Sequence, residues 1–292
     1  VEPDENFTVT LQTVSNNDGT VPTSLGAQVA ATGTIQNDDA APGNVIEGIT
    51  ILDQAPSLHG DVVTPVATNA VQLVRLSNYA PAAGTNAEVV SFDPSTGRAY
   101  VLNTIGNKID VVAIDATGAV SLISSIDLTA LDGYGGANSV AIKNGILAVA
   151  YAGDLPGADG SVALFDANGT LIKTVEVGAG PDQVAFTAGG SKLLVANEGE
   201  PVSVTLPGGG SQLINPEGSV SIIDLSGGAA NAAVATTVSF DLLDGYEAVL
   251  KQAGVALLTG QAASADIEPE YISVSPDGTR AYVTLQEVNA VA

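Results

Sequence analysis

Acidic side chains at regular spacing are the residues of this sequence best suited to chemistry. Asp266, Glu268 and Glu270 alternate along one segment, and Pro269 favours an extended backbone there. Alternate residues of an extended chain share one face and lie about 7 Å apart. Three carboxylates on one face repel one another unless a cation or hydrogen-bond donors compensate. The spacing predicts an edge that coordinates Ca²⁺ or a substrate; the alternative is a set of solvated acids that accept backbone hydrogen bonds.

A second acidic group, Glu198, Glu200 and Glu217, flanks a Gly- and Pro-rich insertion at residues 202–216. If the segments on either side of the insertion pair as strands, the insertion is a hairpin and the three carboxylates converge at its base. Both acidic groups would then meet at one end of a channel, where a hard cation takes six to eight oxygen ligands. The alternative is a set of buried polar residues that tie neighbouring repeats together. Comparable positions of other repeats carry Asn138, Asp182 and Glu287.

Composition excludes several classes of function. The 292 residues include 8 Lys and Arg against 32 Asp and Glu, a formal net charge of −24. Such a chain cannot assemble a basic stripe for nucleic acid, and an anionic membrane surface repels it. The absence of Cys removes thiol chemistry and thiolate metal sites, and His59 alone cannot build a multi-histidine site. The longest apolar stretch, residues 146–152, is too short for a membrane helix. The remaining oxygen chemistry favours Ca²⁺ as the metal.

The elements that must position these acids are short strands in a repeating order. Each repeat contains a strand, a Gly-bearing turn, a second strand, a loop and a strand that ends in Asp. A strand meander with a period of roughly 40–50 residues indicates propeller blades. We therefore predict an all-β fold, a β-propeller that is incomplete in this chain, with truncation expected at both ends. The repeats span residues 88–115, 139–166, 183–224 and 270–292, with a fifth candidate from 46–53 and 71–77.

Two segments depart from the repeat. Residues 241–252 have a helical period that places Leu242, Tyr246 and Val249 or Leu250 on one face, which predicts a short helix in an insertion. Residues 1–39 form a separate unit with two predicted strands, the first alternating from Phe7 and the second at residues 27–35. We expect a linker at residues 40–45 and the propeller at residues 46–292.

The N-terminal unit resembles the C-terminal end of a Calx-beta domain, a β-sandwich. The resemblance rests on the segments Glu2-Pro-Asp-Glu-Asn-Phe7 and Thr32-Gly-Thr-Ile-Gln-Asn-Asp-Asp39. Some Calx-beta domains bind Ca²⁺ through acidic loops at one end, and the match implies Glu2, Glu5, Asp38 and Asp39 as metal ligands. Asn37 stands where calcium-binding members often have another Asp. Many bacterial repeats of this family serve as scaffold only.

Residues from about 70 onward resemble the choice-of-anchor I domain. The resemblance rests on several motifs in the family's order, among them Ala196-Asn-Glu-Gly-Glu-Pro201, Pro216-Glu-Gly-Ser-Val-Ser-Ile-Ile-Asp224 and Asp266-Ile-Glu-Pro-Glu-Tyr271. It implies a seven-bladed propeller of the YVTN/WD40-like superfamily, linked in bacteria to varied cell-surface anchors. Val288 replaces an Asn of the family's usual Gln-Glu-Asn-Asn-Ala segment.

Three functions are compatible with these observations. The first is a non-catalytic binding, adhesion or display module of a large secreted or cell-surface bacterial protein, stabilised by calcium and taking a protein or glycan ligand. The second is a Ca²⁺-dependent phosphoesterase that uses the carboxylates at the channel mouth. Phosphate sites usually recruit Arg or Lys, of which this chain has eight, so the sequence favours the first. The third is a scaffold that organises neighbouring domains.

Overall fold

The computed structural model describes residues 5–10, 30–35, 49–50, 71–72, 76–82 and 86–292. Residues 5–10, 30–35, 49–50 and 71–72, and Ala235, are described by their backbone alone. The chain divides into two compact units, Val1–Val74 and Arg75–Ala292. No helix of the described residues is long and apolar enough to cross a membrane.

The first unit contains two described strand pairs. Strand β1 (Glu5–Thr10) pairs with β2 (Ala30–Ile35) in antiparallel fashion, and β3 (Ile49–Thr50) pairs with β4 (Val71–Gln72) in parallel. The β1–β2 pairing agrees with the two strands predicted for residues 1–39. Of the acids predicted there, Glu5 lies in β1, whereas Glu2, Asp38 and Asp39 lie outside the described residues, as does His59.

The second unit contains four antiparallel sheets of three or four strands that follow one another along the chain, and a separate two-stranded hairpin within the third. Sheet I contains β5 (Val89–Asp93), β6 (Arg98–Asn103), β7 (Lys108–Ile114) and β8 (Val120–Asp127). Sheet II contains β9 (Tyr134–Lys143), β10 (Ile146–Gly153), β11 (Asp159–Asp166) and β12 (Leu171–Ala179). Sheet III begins with β13 (Pro181–Phe186) and β14 (Lys192–Asn197); the hairpin of β15 (Val202–Thr205) and β16 (Ser211–Ile214) follows, and β17 (Ser219–Asp224) and β18 (Ala233–Ser239) complete the sheet. After helix α1 (Glu247–Gln252), sheet IV contains β19 (Ile272–Val274), β20 (Ala281–Leu285) and β21 (Ala290–Val291).

Each sheet contains one of the four repeats predicted from the sequence, and sheets I to III also have a fourth strand that the predicted repeats did not include: β8, β12 and β18. Strand β14 pairs with β17 from Lys192↔Asp224 to Asn197↔Ser219, so residues 202–216 form the predicted hairpin. The aspartates that end the third strand of the repeats cap the turns that follow. Asp166 illustrates this, because its Oδ1 accepts hydrogen bonds from the backbone N–H groups of Asn168 and Thr170 at 2.9 and 2.8 Å.

The core lies between successive sheets rather than inside any one of them. Tyr100 and Leu102 of sheet I pack against Leu147 and Val149 of sheet II, and all four are fully buried. Two further apolar clusters join sheet II to sheet III and sheet III to sheet IV. A sheet with a neighbour on each side needs apolar residues on both faces, which explains why its middle strands are apolar without alternation.

The helix predicted for residues 241–252 is interrupted. Residues Asp241–Leu243 form a 3₁₀ turn and Glu247–Gln252 form α1, because Gly245 between them adopts φ +83°. The predicted apolar face is confirmed only at Leu250, which packs with Leu243 against the core between sheets III and IV. It is wrong at the other three positions, which are exposed: Leu242, Tyr246 and Val249. The interruption rotates the two turns relative to each other, so a single helical period does not describe them.

Candidate functional site

Acidic residues of three chain segments meet at one end of sheets III and IV. Asp182 lies in β13, Glu198 and Glu200 directly follow β14, and Glu268 and Glu270 precede β19. Strands β13 and β14 are antiparallel neighbours with Pro181 opposite Asn197, so the start of one lies beside the end of the other. This topology brings together carboxylates that are far apart in the sequence.

A glycine allows the segment before β19 to approach. A Cβ atom on Gly218 would lie 2.2 Å from the carbonyl oxygen of Ile267 and 2.6 Å from Cδ of Pro269. Only a residue without a side chain permits this contact between two backbones. The contact holds Glu268 near the end of β14 and therefore near Glu198.

A pocket of about 290 Å³ opens beside these acids. Glu198 and Glu200 line one side, and Asn138 and Asp154 of sheet II line another. Asn138 donates a hydrogen bond from Nδ2 to the carbonyl oxygen of Pro181 at 3.1 Å, which joins sheet II to sheet III at the pocket wall. Apolar groups, including Leu155 and Val202, complete the lining.

Glu198 is the most perturbed carboxylate of this region. Burial, and then the charges of Asp182, Glu200, Glu268 and Glu270, raise the pKa of Glu198 to about 7. The charges that act most strongly on Glu198 are all negative, so the ionised form of Glu198 is repelled by its neighbours. Lys192 begins the same strand but lies at its opposite end.

Neighbouring carboxylates show the same direction of change. Burial, followed by the charges of Glu200 and Glu88, raises the pKa of Asp182. Burial, followed by the charge of Glu287, raises the pKa values of both Glu268 and Glu270. The acidic rim is defined here as these four carboxylates, Asp182, Glu198, Glu268 and Glu270, together with Glu200 and Glu287, whose charges act on them.

Two of the acids that the sequence predicted at this site, Glu217 and Asp266, lie outside the acidic rim. Glu217 is exposed and lines a separate groove of about 450 Å³ with Asp159 and Glu176. Asp266 is buried, and its Oδ2 accepts a hydrogen bond from the backbone N–H of Leu258, which anchors the insertion that contains α1. The structure therefore brings Glu198, Glu200, Glu268 and Glu270 together. Asp266 was predicted to share a face with Glu268 and Glu270, but it anchors Leu258 instead.

Alignment of the repeats identifies one further acidic residue, Glu88, that the clusters of acids in the sequence did not indicate. Glu88, Asn138, Asp182 and Glu270 occupy the same position in successive repeats, each two residues before the aligned apolar residues Val90, Val140, Val184 and Ile272. Glu88 was not among the predicted site residues. Its carboxylate accepts hydrogen bonds from Thr104 Oγ1 at 2.6 Å and Asn86 Nδ2 at 3.0 Å, and its charge acts on Asp182.

The side chains of the acidic rim are not placed to coordinate a single metal ion. In the described ranges, no group of three or more His, Cys, Asp or Glu side chains is close enough to hold one ion. Charges within the acidic rim contribute to the raised pKa values of Asp182, Glu198, Glu268 and Glu270, but the carboxylates are not arranged as a first coordination sphere. In this arrangement they do not fit a calcium ion, which requires six to eight oxygen ligands.

Comparison with known proteins identifies the repeat region. The family model of the choice-of-anchor I domain matches residues 88–292. Choice-of-anchor domains occur in cell-surface or secreted bacterial proteins. No curated protein matches the sequence.

The solved structures that match the chain are remote in sequence. A protein from Lactobacillus plantarum is 16 % identical, with 68 % of this chain and 50 % of that chain covered and a TM-score of 0.45. The hydrazine synthase of Kuenenia stuttgartiensis is 15 % identical, with 72 % and 78 % covered and a TM-score of 0.33. The chain thus spans half the length of the Lactobacillus protein.

Proposed function

The chain belongs to the choice-of-anchor I domain family, and we propose that it is a non-catalytic binding module of a secreted or cell-surface protein. We further propose that its four sheets are consecutive blades of a seven-bladed propeller. The binding surface is the acidic rim with its adjoining pocket, and the ligand is a protein segment that brings positive charge.

The position of Glu198 in the acidic rim carries this proposal. Four other carboxylates act on it, and its pKa is raised to about 7. A cationic group that bound there would relieve the repulsion and favour the ionised form. Apolar residues such as Leu155, Pro156 and Val202 beside the acids provide contact for the aliphatic part of a lysine or arginine side chain.

A labelled oligolysine peptide tests this function by fluorescence anisotropy with the full chain. We expect the double variant Glu198→Gln, Glu200→Gln to weaken binding by about tenfold, or ~1.4 kcal/mol. The matched control is Glu176→Gln, Glu217→Gln, which removes the same charge from the other groove and should change the affinity much less. Equal losses in both variants would indicate attraction by net charge alone, and the proposed site would be wrong.

Calcium stabilisation is a separate proposal. The four sheets offer no trio of carboxylates at metal-binding distance, so an ion would have to draw the acidic rim together. A thermal melt in millimolar Ca²⁺ against chelator tests it, since an ion that binds only the native state raises the melting temperature. We expect a rise that disappears in Glu268→Gln, Glu270→Gln; an unchanged melting temperature in the wild type would exclude a calcium site here. The phosphoesterase alternative is not advanced, because no specific observation favours it.

A further inference from the structure

The hairpin of β15 and β16 is separate from the sheets that form the repeats. In the described part of the chain, its two strands pair with each other and with no other strand. Strand β15 therefore has one edge that no strand covers, and β16 has another. An uncovered edge is able to accept a further strand, because its outward backbone N–H and C=O groups have no strand partner.

The turn of the hairpin determines which backbone groups point outward from β15. The N–H of Leu206 donates to the carbonyl oxygen of Gly210 at 3.0 Å, so this pair closes the hairpin with a hydrogen bond. In an antiparallel pair of strands, hydrogen-bonded and non-hydrogen-bonded residue pairs alternate. The two valines of β15 are therefore bonded to β16, whereas the N–H and C=O groups of Ser203 and Thr205 point away from it.

The uncovered edge of β15 adjoins the pocket of the acidic rim. Val202 of β15 lines that pocket with Glu198 and Glu200, whereas no residue of β16 lines it. The valines of β15 are half-buried on one face of the hairpin, and Ser203 and Thr205 are exposed on the other. A strand added at this edge would therefore have one face on the side of the pocket and the other toward solvent.

Charge indicates which kind of strand this edge accepts. Strand β15 carries no charged side chain, and the acids Glu198 and Glu200 lie just before it. A second copy of the chain would bring a formal net charge of −24 to this edge, and repulsion would oppose its docking. The same acids attract an extended segment that carries positive charge.

We propose that the cationic protein segment binds as a third strand, antiparallel to β15, at its uncovered edge. The backbone of the segment exchanges hydrogen bonds with Ser203 and Thr205. Every second side chain of the segment lies on the valine face and carries positive charge toward Glu198 and Glu200. This inference rests on the proposed binding function and adds the backbone conformation of the ligand: main-chain bonds supply affinity, and the acids give the preference for positive charge.

Fluorescence anisotropy with the full chain and a labelled peptide of alternating Lys and Thr tests this arrangement. Residues directly opposite each other in antiparallel strands share a face, and a bonded pair exchanges both hydrogen bonds. The peptide's Thr residues therefore bond to Ser203 and Thr205 when its Lys residues lie on the pocket side. We expect backbone N-methylation at the Thr positions to weaken binding about tenfold and N-methylation at the Lys positions to change it less than about twofold. Equal affinities of the two methylated peptides, or the opposite order, would overturn the proposal.

A pair of proline variants tests the same edge from the side of the protein. Ser203→Pro removes an outward N–H of β15 without removing a bond to β16, so it should weaken binding of the unmethylated peptide about tenfold. Leu213→Pro is the matched control, because Leu213 lies opposite Ser203 and its N–H points outward from β16. It should bind the peptide like the wild type. Equal affinities of the two variants would contradict strand addition at β15.

The outcomes separate this binding mode from the function on which it rests. If the wild type binds neither oligolysine nor the alternating peptide, the binding function is wrong and the strand mode is wrong with it. If binding requires Glu198 and Glu200 but tolerates Ser203→Pro and methylation at Thr, the function stands and only the strand mode is wrong. Sedimentation velocity of the chain without peptide should give 29.0 kDa. A larger mass that Ser203→Pro abolishes would assign the edge to a second copy and overturn the proposal.

Discussion

The hydroxyl of Tyr79 donates a 2.7 Å hydrogen bond to Oδ2 of Asp110, a carboxylate with no exposed surface. Ser125 Oγ and Asn103 Nδ2 also donate to this carboxylate, and the Lys108 ammonium lies 3.0 Å from it. Burial opposes ionisation of Asp110, but these contacts outweigh it and lower its pKa. Burial and the bond to Asp110 raise the pKa of Tyr79 to about 12. The bond therefore ties the segment before sheet I to β7 of that sheet.

Removal of the Tyr79 hydroxyl should destabilise the chain. Tyr79→Phe leaves the ring in place but takes one donor from a buried carboxylate, so we expect a loss of about 1–2 kcal/mol in the free energy of unfolding. Urea denaturation measures it. Tyr246→Phe is the control, since that side chain is 59 % exposed and its loss should change stability little. Equal effects of the two substitutions would contradict the role assigned to the bond.

Stability should fall as the pH rises through the titration of Glu198. Its pKa is near 4.5 in the unfolded chain and about 7 in the folded one, so the folded state binds more protons between those values. This contribution is fully present below about pH 4.5 and is lost above about pH 7. Glu198→Gln should remove that slope and raise stability at pH 8 by about 1–2 kcal/mol, after allowance for partial solvent exposure.

Denaturation of wild type and Glu198→Gln at several pH values measures this difference. Glu217→Gln is the matched control, because Glu217 is exposed and lies in the other groove. If Glu198→Gln kept the wild-type pH dependence, the repulsion described for the acidic rim would not act in solution.

Added monovalent salt should stabilise the chain at pH 8. At about 0.1 M salt the screening length is ~10 Å, which weakens repulsion between partly exposed carboxylates. We expect the melting temperature to rise with salt and to rise less in Glu268→Gln, Glu270→Gln. An unchanged salt dependence in that variant would place the relevant repulsion outside the acidic rim.

Gly218 should not tolerate a side chain. The Cβ atom of Gly218→Ala would meet backbone atoms of Ile267 rather than a flexible side chain, so we expect a loss of about 2–3 kcal/mol. Gly227→Ala is the control, since its Cβ would meet nothing closer than Asn231 at 3.5 Å. Thermal melts of both variants compare the costs, and a tolerated alanine at Gly218 would disprove the close approach that positions Glu268.

The local sequence pattern was sufficient to predict much of the fold. The four repeats, the hairpin at residues 202–216 and the capping role of Asp166 follow from the alternation of short apolar runs with Gly- and Asp-bearing turns. These features depend on neighbours within a few residues, so the sequence predicts them directly. The helix at residues 241–252 was predicted less well, because Gly245 interrupts a period that the apolar residues alone suggest.

The sequence by itself determined the chemistry of the chain: acidic, without thiols, with one histidine and with paired carboxylates beside strands. Only the tertiary structure decided which carboxylates act on one another. Glu268 lies near Glu198 because Gly218 has no side chain and the backbone at Ile267 can pass close to it. Asp266, two residues before Glu268, instead accepts a hydrogen bond from the backbone N–H of Leu258. Spacing along one strand predicts a shared face, but proximity between strands depends on register and on backbone contacts that join residues far apart in the sequence.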